Sequence, residues 1–516
     1  MTQSAATPLL QLEGITKRFG DFYANRDISL TLERGEILGL LGENGAGKTT
    51  LINILFGHYV ADAGRILIDG RVLPPGSPRA SLNAGIGLVH QHFTLAANLT
   101  VLENVMAGTE PVWRLASQRR KARERLRALS ARFGLDVDPD ARVARLSVGE
   151  RQRVEILKSL YREADVLVLD EPTAVLTPAE SLSLFDTLTR MAQHGLSVIL
   201  ISHKLDEVLR VAQRVAVLRS GALVAERAAV ELDRATLAEL MVGRRVTRPR
   251  RQPLEAGAAV LDLDHVTVAG TPGLRDATLT VRQREIVAVV GVAGNGQRAL
   301  IELVSGLTRP KTGAGSMTRN ARPVVRADAD AMHRLGVARI PEDRHEEGVA
   351  GDLSLWENAV LEDLHEPRFA RYGWIRKAAA RRHTRQLIAD YDIRCQGPDQ
   401  RTRLLSGGNM QKLIIGRGLT TGPSLIVACQ PARGLDEGAI AEVHARLLDA
   451  RERGAGILLV TEDLDEAFAL ADRIVVMQNG NVSAPLDGPD FDSGRIGLMM
   501  LGERPTHTPG DTDHAH

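Results

Sequence analysis

One string after another in this chain occurs twice at near-constant spacing, and that duplication limits the fold more than any other feature. Gly42-Glu43-Asn44-Gly45-Ala46-Gly47-Lys48-Thr49 recurs as Gly291-Val292-Ala293-Gly294-Asn295-Gly296-Gln297-Arg298, an offset of 249 residues. LSVGE from Leu146, VLVLDEP ending at Pro172 and ISHKLDE from Ile201 recur as LSGGN from Leu405, IVACQP ending at Pro431 and VTEDLDE from Val460. Each of these is offset by 259. The turn pairs Ser220-Gly221 and Asn479-Gly480, both hairpin signals, keep that same spacing. A shared offset across unrelated strings means duplication, with about ten residues added between the first two motifs of the second copy.

A chain of 516 residues also exceeds what one hydrophobic core usually holds. The basic, Pro-bearing stretch RRVTRPRRQPLEAGAA, from Arg244, lacks apolar periodicity and reads as a linker. The expected division is therefore a first domain at 8–243, a linker at 244–258, a second domain at 259–502 and a disordered tail at 503–516. Net charge of +1 supplies no global attraction to nucleic acid. Two cysteines, Cys395 and Cys429, make no disulfide framework and suggest a reducing compartment. No signal peptide and no run of 18 apolar residues is evident, so other chains are expected to supply any membrane spans.

The first copy carries a phosphate-binding constellation. Glu36 to Leu41 reads as a buried strand and Lys48 to Phe56 as a helix closed by Gly57. The loop between them fits G-x-x-x-x-G-K-[ST]. Its glycines allow backbone N–H groups to turn toward phosphates, Lys48 neutralises their charge, and Thr49 can ligate Mg²⁺. Val166 to Asp170 reads as an apolar strand ending in two carboxylates. Asp170 suits Mg²⁺ and Glu171 suits polarising the attacking water. Ser197 to Ser202 is a third strand, which brings His203 toward a γ-phosphate. His90 and His92 flank Gln91, and without further ligands they do not make a metal site.

With the LSVGE and LSGGN segments added, the chain resembles ABC-transporter ATPases over roughly residues 10 to 500. The resemblance implies an α/β fold of two tandem P-loop ABC ATPase domains. Each would have a mixed sheet with a RecA-like core, an antiparallel β subdomain and a helical subdomain. It implies ATP and Mg²⁺ as cofactors and adds several residues to the site. Phe19 would stack on adenine, and Gly42, Glu43, Asn44, Gly45, Ala46, Gly47, Lys48, Thr49 and Thr50 would hold the phosphates. Gln91 would sense Mg²⁺ and the membrane partner, and His203 would act as the switch histidine. Cassettes of this family pair head to tail. The resemblance therefore puts Ser406, Gly407, Gly408 and Asp436 of the second copy on the nucleotide held by the first.

The second copy departs from the family pattern. Gln297 stands in place of Lys48, Arg298 of Thr49, Cys429 of Asp170, Gln430 of Glu171, Glu462 of His203 and Glu342 of Gln91. Its expected partner signature, LSVGE, has Val148 in place of a glycine, and the first copy has Thr177 where the second has Asp436. All the losses fall on one of the two expected composite sites, so hydrolysis is expected at the other alone.

Duplicated cassettes with a short linker resemble the ATP-binding subunits of sugar and nucleoside importers. GLVHQHF from Gly87, the LSVGE-to-VLTP segment and PEDRHEEG from Pro341 favour the nucleoside branch, with a sugar importer as the alternative. The resemblance implies two membrane permease subunits forming a heterodimer, and an indirect extracytoplasmic substrate-binding protein. It implies no nucleic-acid partner, and a peripheral position on the cytoplasmic face of the inner membrane. A soluble ABC protein acting on ribosomes or DNA is the rival from another class. Its members usually keep both sites and have a long helical linker.

Two arginine-rich stretches complete the reading: Arg114 to Arg132, predicted helical, and its counterpart, Arg368 to Arg385. Each is either a solvated face or a surface attracted to anionic lipid.

Overall fold

The computed structural model describes residues 7–502 apart from 91–92, 110–117, 174–175, 177, 203, 244, 246–248, 312–314, 325–327 and 489–490. The chain divides into two compact units whose main boundary in sequence falls between Val246 and Thr247.

In the first lobe the strand Ile37–Gly42 runs parallel between Ser197–Ile201 and Arg214–Arg219. Beyond Ser197–Ile201 lie Val166–Asp170 and Ile86–Val89, also parallel, and Ala222–Ala228 closes the other edge antiparallel. These central strands read as continuous apolar runs because both faces are covered. Leu38, Leu40, Val166, Val168, Ile199 and Ile201 pack toward an antiparallel β subdomain. Ile37, Leu41, Leu167, Leu169, Val198 and Leu200 join the core shared with the helices. The β subdomain is built from Leu10–Phe19, Phe22–Leu32, Ala63–Ile68 and Arg71–Val72. The helical subdomain contains Val101–Met106, Arg119–Phe133 and Val148–Tyr161.

The second lobe repeats this plan. Ile286–Val290 lies between Gly456–Thr461 and Arg473–Gln478, followed outward by Leu425–Cys429 and Val337–Ile340. Its antiparallel sheet contains Leu274–Arg282, Ala259–Val268, Ser316–Arg319 and Arg322–Pro323, and its helices include Leu355–Val360, Lys377–Asp390 and Gly407–Thr420. The extra residues enter stepwise. Equivalent starts are offset by 249 at Leu10 and Ala259, by 251 at Ile86 and Val337, and by 259 at Val148 and Gly407.

Two expectations are corrected. The phosphate-loop strand begins at Ile37, because Glu36 N closes a turn onto Glu33 O at 3.3 Å. The second basic stretch is not one helix. Ala370–Arg371 and Trp374–Ile375 form a hairpin before the helix Lys377–Asp390. Tyr372 and Gly373 both take positive φ, 53° and 81°, the geometry of a two-residue hairpin turn. The first basic helix begins at Arg119, and Arg114 lies outside the described residues. No helix among the described residues is long and apolar enough to cross a membrane.

Candidate functional site

In the first lobe the glycine loop joins a buried strand to the helix Lys48–Leu55, whose C-cap is Phe56. Gly45 and Gly47 take φ of 82° and 100°, which turns successive N–H groups inward as an anion nest. Space also demands glycine at one of them: a Cβ on Gly47 would lie 2.2 Å from Ala24 O. Fully buried Asn25 clamps the same residue, donating from Nδ2 to Gly47 O at 3.0 Å. Lys48 is folded over its own loop, Nζ donating to Gly42 O at 2.6 Å and to Glu43 O at 3.0 Å. Burial pushes its ammonium below the ordinary lysine range, with the charges of Glu171 and then Asp170 pulling it back.

Asp170 ends its strand and Glu171 follows with φ of 47°, a strained conformation for a side-chain-bearing residue, pinned by Glu171 N donating to Ile201 O. Burial, then the neighbouring Glu171, raises the Asp170 carboxyl above its usual range. Two crowded, half-buried carboxylates beside one lysine form a donor set that fits a hard divalent cation such as Mg²⁺. Thr49 is exposed and Thr50 half-buried on the first turn of the helix. Phe19, 47% exposed, meets Tyr59 edge-on at 5.7 Å with Lys17 Nζ above its ring, leaving aromatic surface open for a base. Gln91, His203 and Thr177 lie outside the described residues. Glu207 accepts from Thr173 Oγ1 at 2.6 Å and from Ser202 Oγ at 3.2 Å. It thereby ties the segment after the carboxylates to the one before His203.

The second lobe keeps the loop's shape without its chemistry. Gly294 and Gly296 have φ of 82° and 110°. Gln297 folds into its own loop, Nε2 donating to Val292 O and Oε1 accepting from Asn295 N, both at 2.9 Å. Arg298 pairs instead with Glu302. Burial pushes the Cys429 thiol up to about 12, so it stays protonated and is no Mg²⁺ ligand. Gln430 repeats the strained φ at 42° and donates to Glu342, which also pairs with Arg433. Burial raises the Glu462 carboxyl. This donor set does not fit Mg²⁺.

The two signature turns carry opposite charge. Ser147 caps its helix in a capping box, with the Glu150 carboxylate accepting from Ser147 N at 2.7 Å. That turn therefore holds an anion of its own. Ser406 also caps its helix, but Asn409 is neutral and directs Oδ1 to Arg394 N at 2.8 Å. The Arg344 guanidinium lies against Gly407, where an added Cβ would stand 3.2 Å from Nη1, and donates to Arg433 O. Gly408 is in the first turn, and Asp436 immediately precedes the helix Glu437–Glu452. Sequence reasoning missed Asn25, Glu207, Glu150 and Arg344. Comparing the two copies position by position would have flagged Arg344, which stands where the first copy has Phe93.

The family model described as ABC transporter matches residues 25–174 and 274–433. The chain is 43% identical to a glucose import ATP-binding protein of Haloferax volcanii, with 96% of each chain covered. It is 39% identical to a nucleoside import ATP-binding protein of Lactococcus lactis subsp. cremoris, over 96% of this chain and 98% of the relative. A solved structure described as RNase-L inhibitor covers 92% of this chain and 90% of its own, with a TM-score of 0.60. At 17% identity that likeness concerns the fold alone.

Proposed function

This chain belongs to the ABC transporter family, and we propose that it is the ATP-hydrolysing subunit of an importer, with one catalytic site. The observation that carries this reading is the chemical asymmetry of the lobes. One lobe holds a buried lysine beside two carboxylates, whereas the other has a glutamine and a protonated thiol at the matching positions.

In this proposal Lys48 and the loop N–H groups of Gly42 to Thr50 hold the phosphates of ATP. Thr49, Asp170 and Gln91 hold Mg²⁺, which supplies charge neutralisation between the phosphates. Glu171 accepts a proton from the attacking water, and His203 faces the terminal phosphate. Ser406, Gly407, Gly408 and Asp436 complete the site from the second cassette, whose turn is free of an acidic cap. Phe19 stacks on the base. The domain limits 8–243 and 259–502, with the linker between, belong to the same proposal.

Nucleosides are the proposed cargo, supported by GLVHQHF, PEDRHEEG and the likeness to a nucleoside import protein. Sugar uptake is the second reading, favoured by the likeness to a glucose import protein. The chain would act peripherally on the cytoplasmic face, below two permease subunits, a heterodimer, served by an extracytoplasmic substrate-binding protein.

Lys48→Ala is expected to abolish ATPase activity and Gln297→Ala to leave it near the parental rate. An active Lys48→Ala variant refutes the site, and an undiminished Ser406→Ala variant refutes the contribution of the second cassette. Uptake of radiolabelled nucleoside against radiolabelled glucose in a deletion strain decides the cargo.

A further inference from the structure

The hairpin within the second basic stretch has no part in the nucleotide chemistry, yet it projects its largest side chains into solvent. Tyr372 is 86% exposed and Trp374 81%, with Ile375 partly exposed beside them. The hairpin is anchored at its base, where Phe369 is buried with Trp356, Val360 and Ala380. Arg376 N donates to Phe369 O at 2.7 Å across the hairpin's neck.

Its surroundings are strongly cationic. From Arg368 to Arg385 the sequence has seven arginines and lysines and no aspartate or glutamate. Lys377, Arg381 and Arg385 recur every four residues, along one face of the helix Lys377–Asp390. Among the described residues, ion pairs are confined to Arg368, with Asp363 and Glu366, and Arg381, with Asp399, while Glu357 also feels the charges of Lys377 and Arg381.

We propose that this hairpin and the face of the following helix form an anionic-lipid-binding surface, with Tyr372 and Trp374 seated among the headgroups and the cations against the phosphates. Tyrosine and tryptophan favour that boundary because each has an apolar ring and a polar tip. Cations near an anionic surface strengthen attachment by about fivefold each. A solvated basic face needs no exposed aromatic pair, whereas exposed apolar surface rimmed by polar residues marks an interaction site. The surface goes beyond the importer reading, and its vesicle test is independent of transport.

The test is sedimentation of the purified full chain with phosphatidylcholine vesicles, with and without phosphatidylglycerol. The expected result is binding that requires phosphatidylglycerol and weakens with salt. Combined Tyr372→Ser and Trp374→Ser substitutions are expected to lower partition at least about tenfold, the scale of losing a buried aromatic. Combined Lys377→Gln and Arg385→Gln substitutions are expected to do likewise. All four positions lie outside the nucleotide site, so ATPase activity in solution and the thermal midpoint should match the parent. Equal binding to both vesicles, parental partition by either variant, or loss of binding to competing RNA overturns the proposal. If the variants bind vesicles normally but fail to join the permease, the hairpin is a protein contact instead, and the lipid assignment falls.

Discussion

Gly47 and its twin Gly296 separate the folding role of the loop from its chemistry. At Gly47 an alanine must adopt φ near 100°, which costs roughly 1–2 kcal/mol for a side-chain-bearing residue. Its Cβ would also stand 2.2 Å from Ala24 O and 2.6 Å from Asn25 Nδ2. Relieving that overlap adds roughly 1–3 kcal/mol. The sum, about 2–5 kcal/mol, should lower the first lobe's thermal midpoint by roughly 4–20 °C for a unit of this size. The loop must also retreat by about 1 Å, a displacement that can reduce turnover about 100-fold. Gly45→Ala is the internal control. Its φ is 82°, but nothing lies within 4 Å of the added Cβ, so the strain of roughly 1–2 kcal/mol stands alone. In the second lobe, Gly296→Ala meets Gly273 O at 2.9 Å at a φ of 110°. It should lose comparable stability yet retain ATPase activity. Calorimetry and steady-state ATPase measurements on the three variants suffice. A stable Gly47→Ala variant with parental turnover, or a folded Gly296→Ala variant without activity, would refute the reasoning.

Glu171→Gln should still bind ATP but turn over at least about 100-fold more slowly in single-turnover assays, the scale of losing a positioned base. Asp170 has a raised folded-state pKa, so its stabilising contribution is present below the ordinary aspartate range and is lost as pH rises through the folded value. Asp170→Asn should therefore melt higher than the parent at neutral pH, with the difference closing in acid, while Mg²⁺-dependent nucleotide binding is lost. Glu150→Ala removes the carboxylate that caps the first signature turn and should cost about 1 kcal/mol, read as a lowered denaturation midpoint. Arg344→Gln should raise the KM for ATP about tenfold, with Arg344→Lys retaining much of the parental value, because a cation beside Gly407 favours phosphate.

The duplicated strings identified two cassettes, and continuous apolar runs identified the core strands. Both signals are local: a strand covered on both faces is apolar throughout, and a phosphate loop is contiguous in the chain. The substitutions Gln297, Cys429 and Gln430 were equally legible, because they change chemistry at named positions. Side-chain direction was not. That Gln297 plugs its own loop depends on the loop's folded backbone, and that Asn25 clamps Gly47 and Glu207 ties two loops together depends on contacts between elements distant in sequence. The opposite charge of the signature turns came from the same source, since Arg344 reaches Gly407 across more than sixty residues. The arginine-rich stretch shows the division most plainly. Its charge could be counted residue by residue, but Tyr372-Gly373 converts part of it into a turn, and burial of Phe369 leaves Tyr372 and Trp374 facing water. Composition sets what a segment can bind, whereas packing sets which of its atoms remain available to do so.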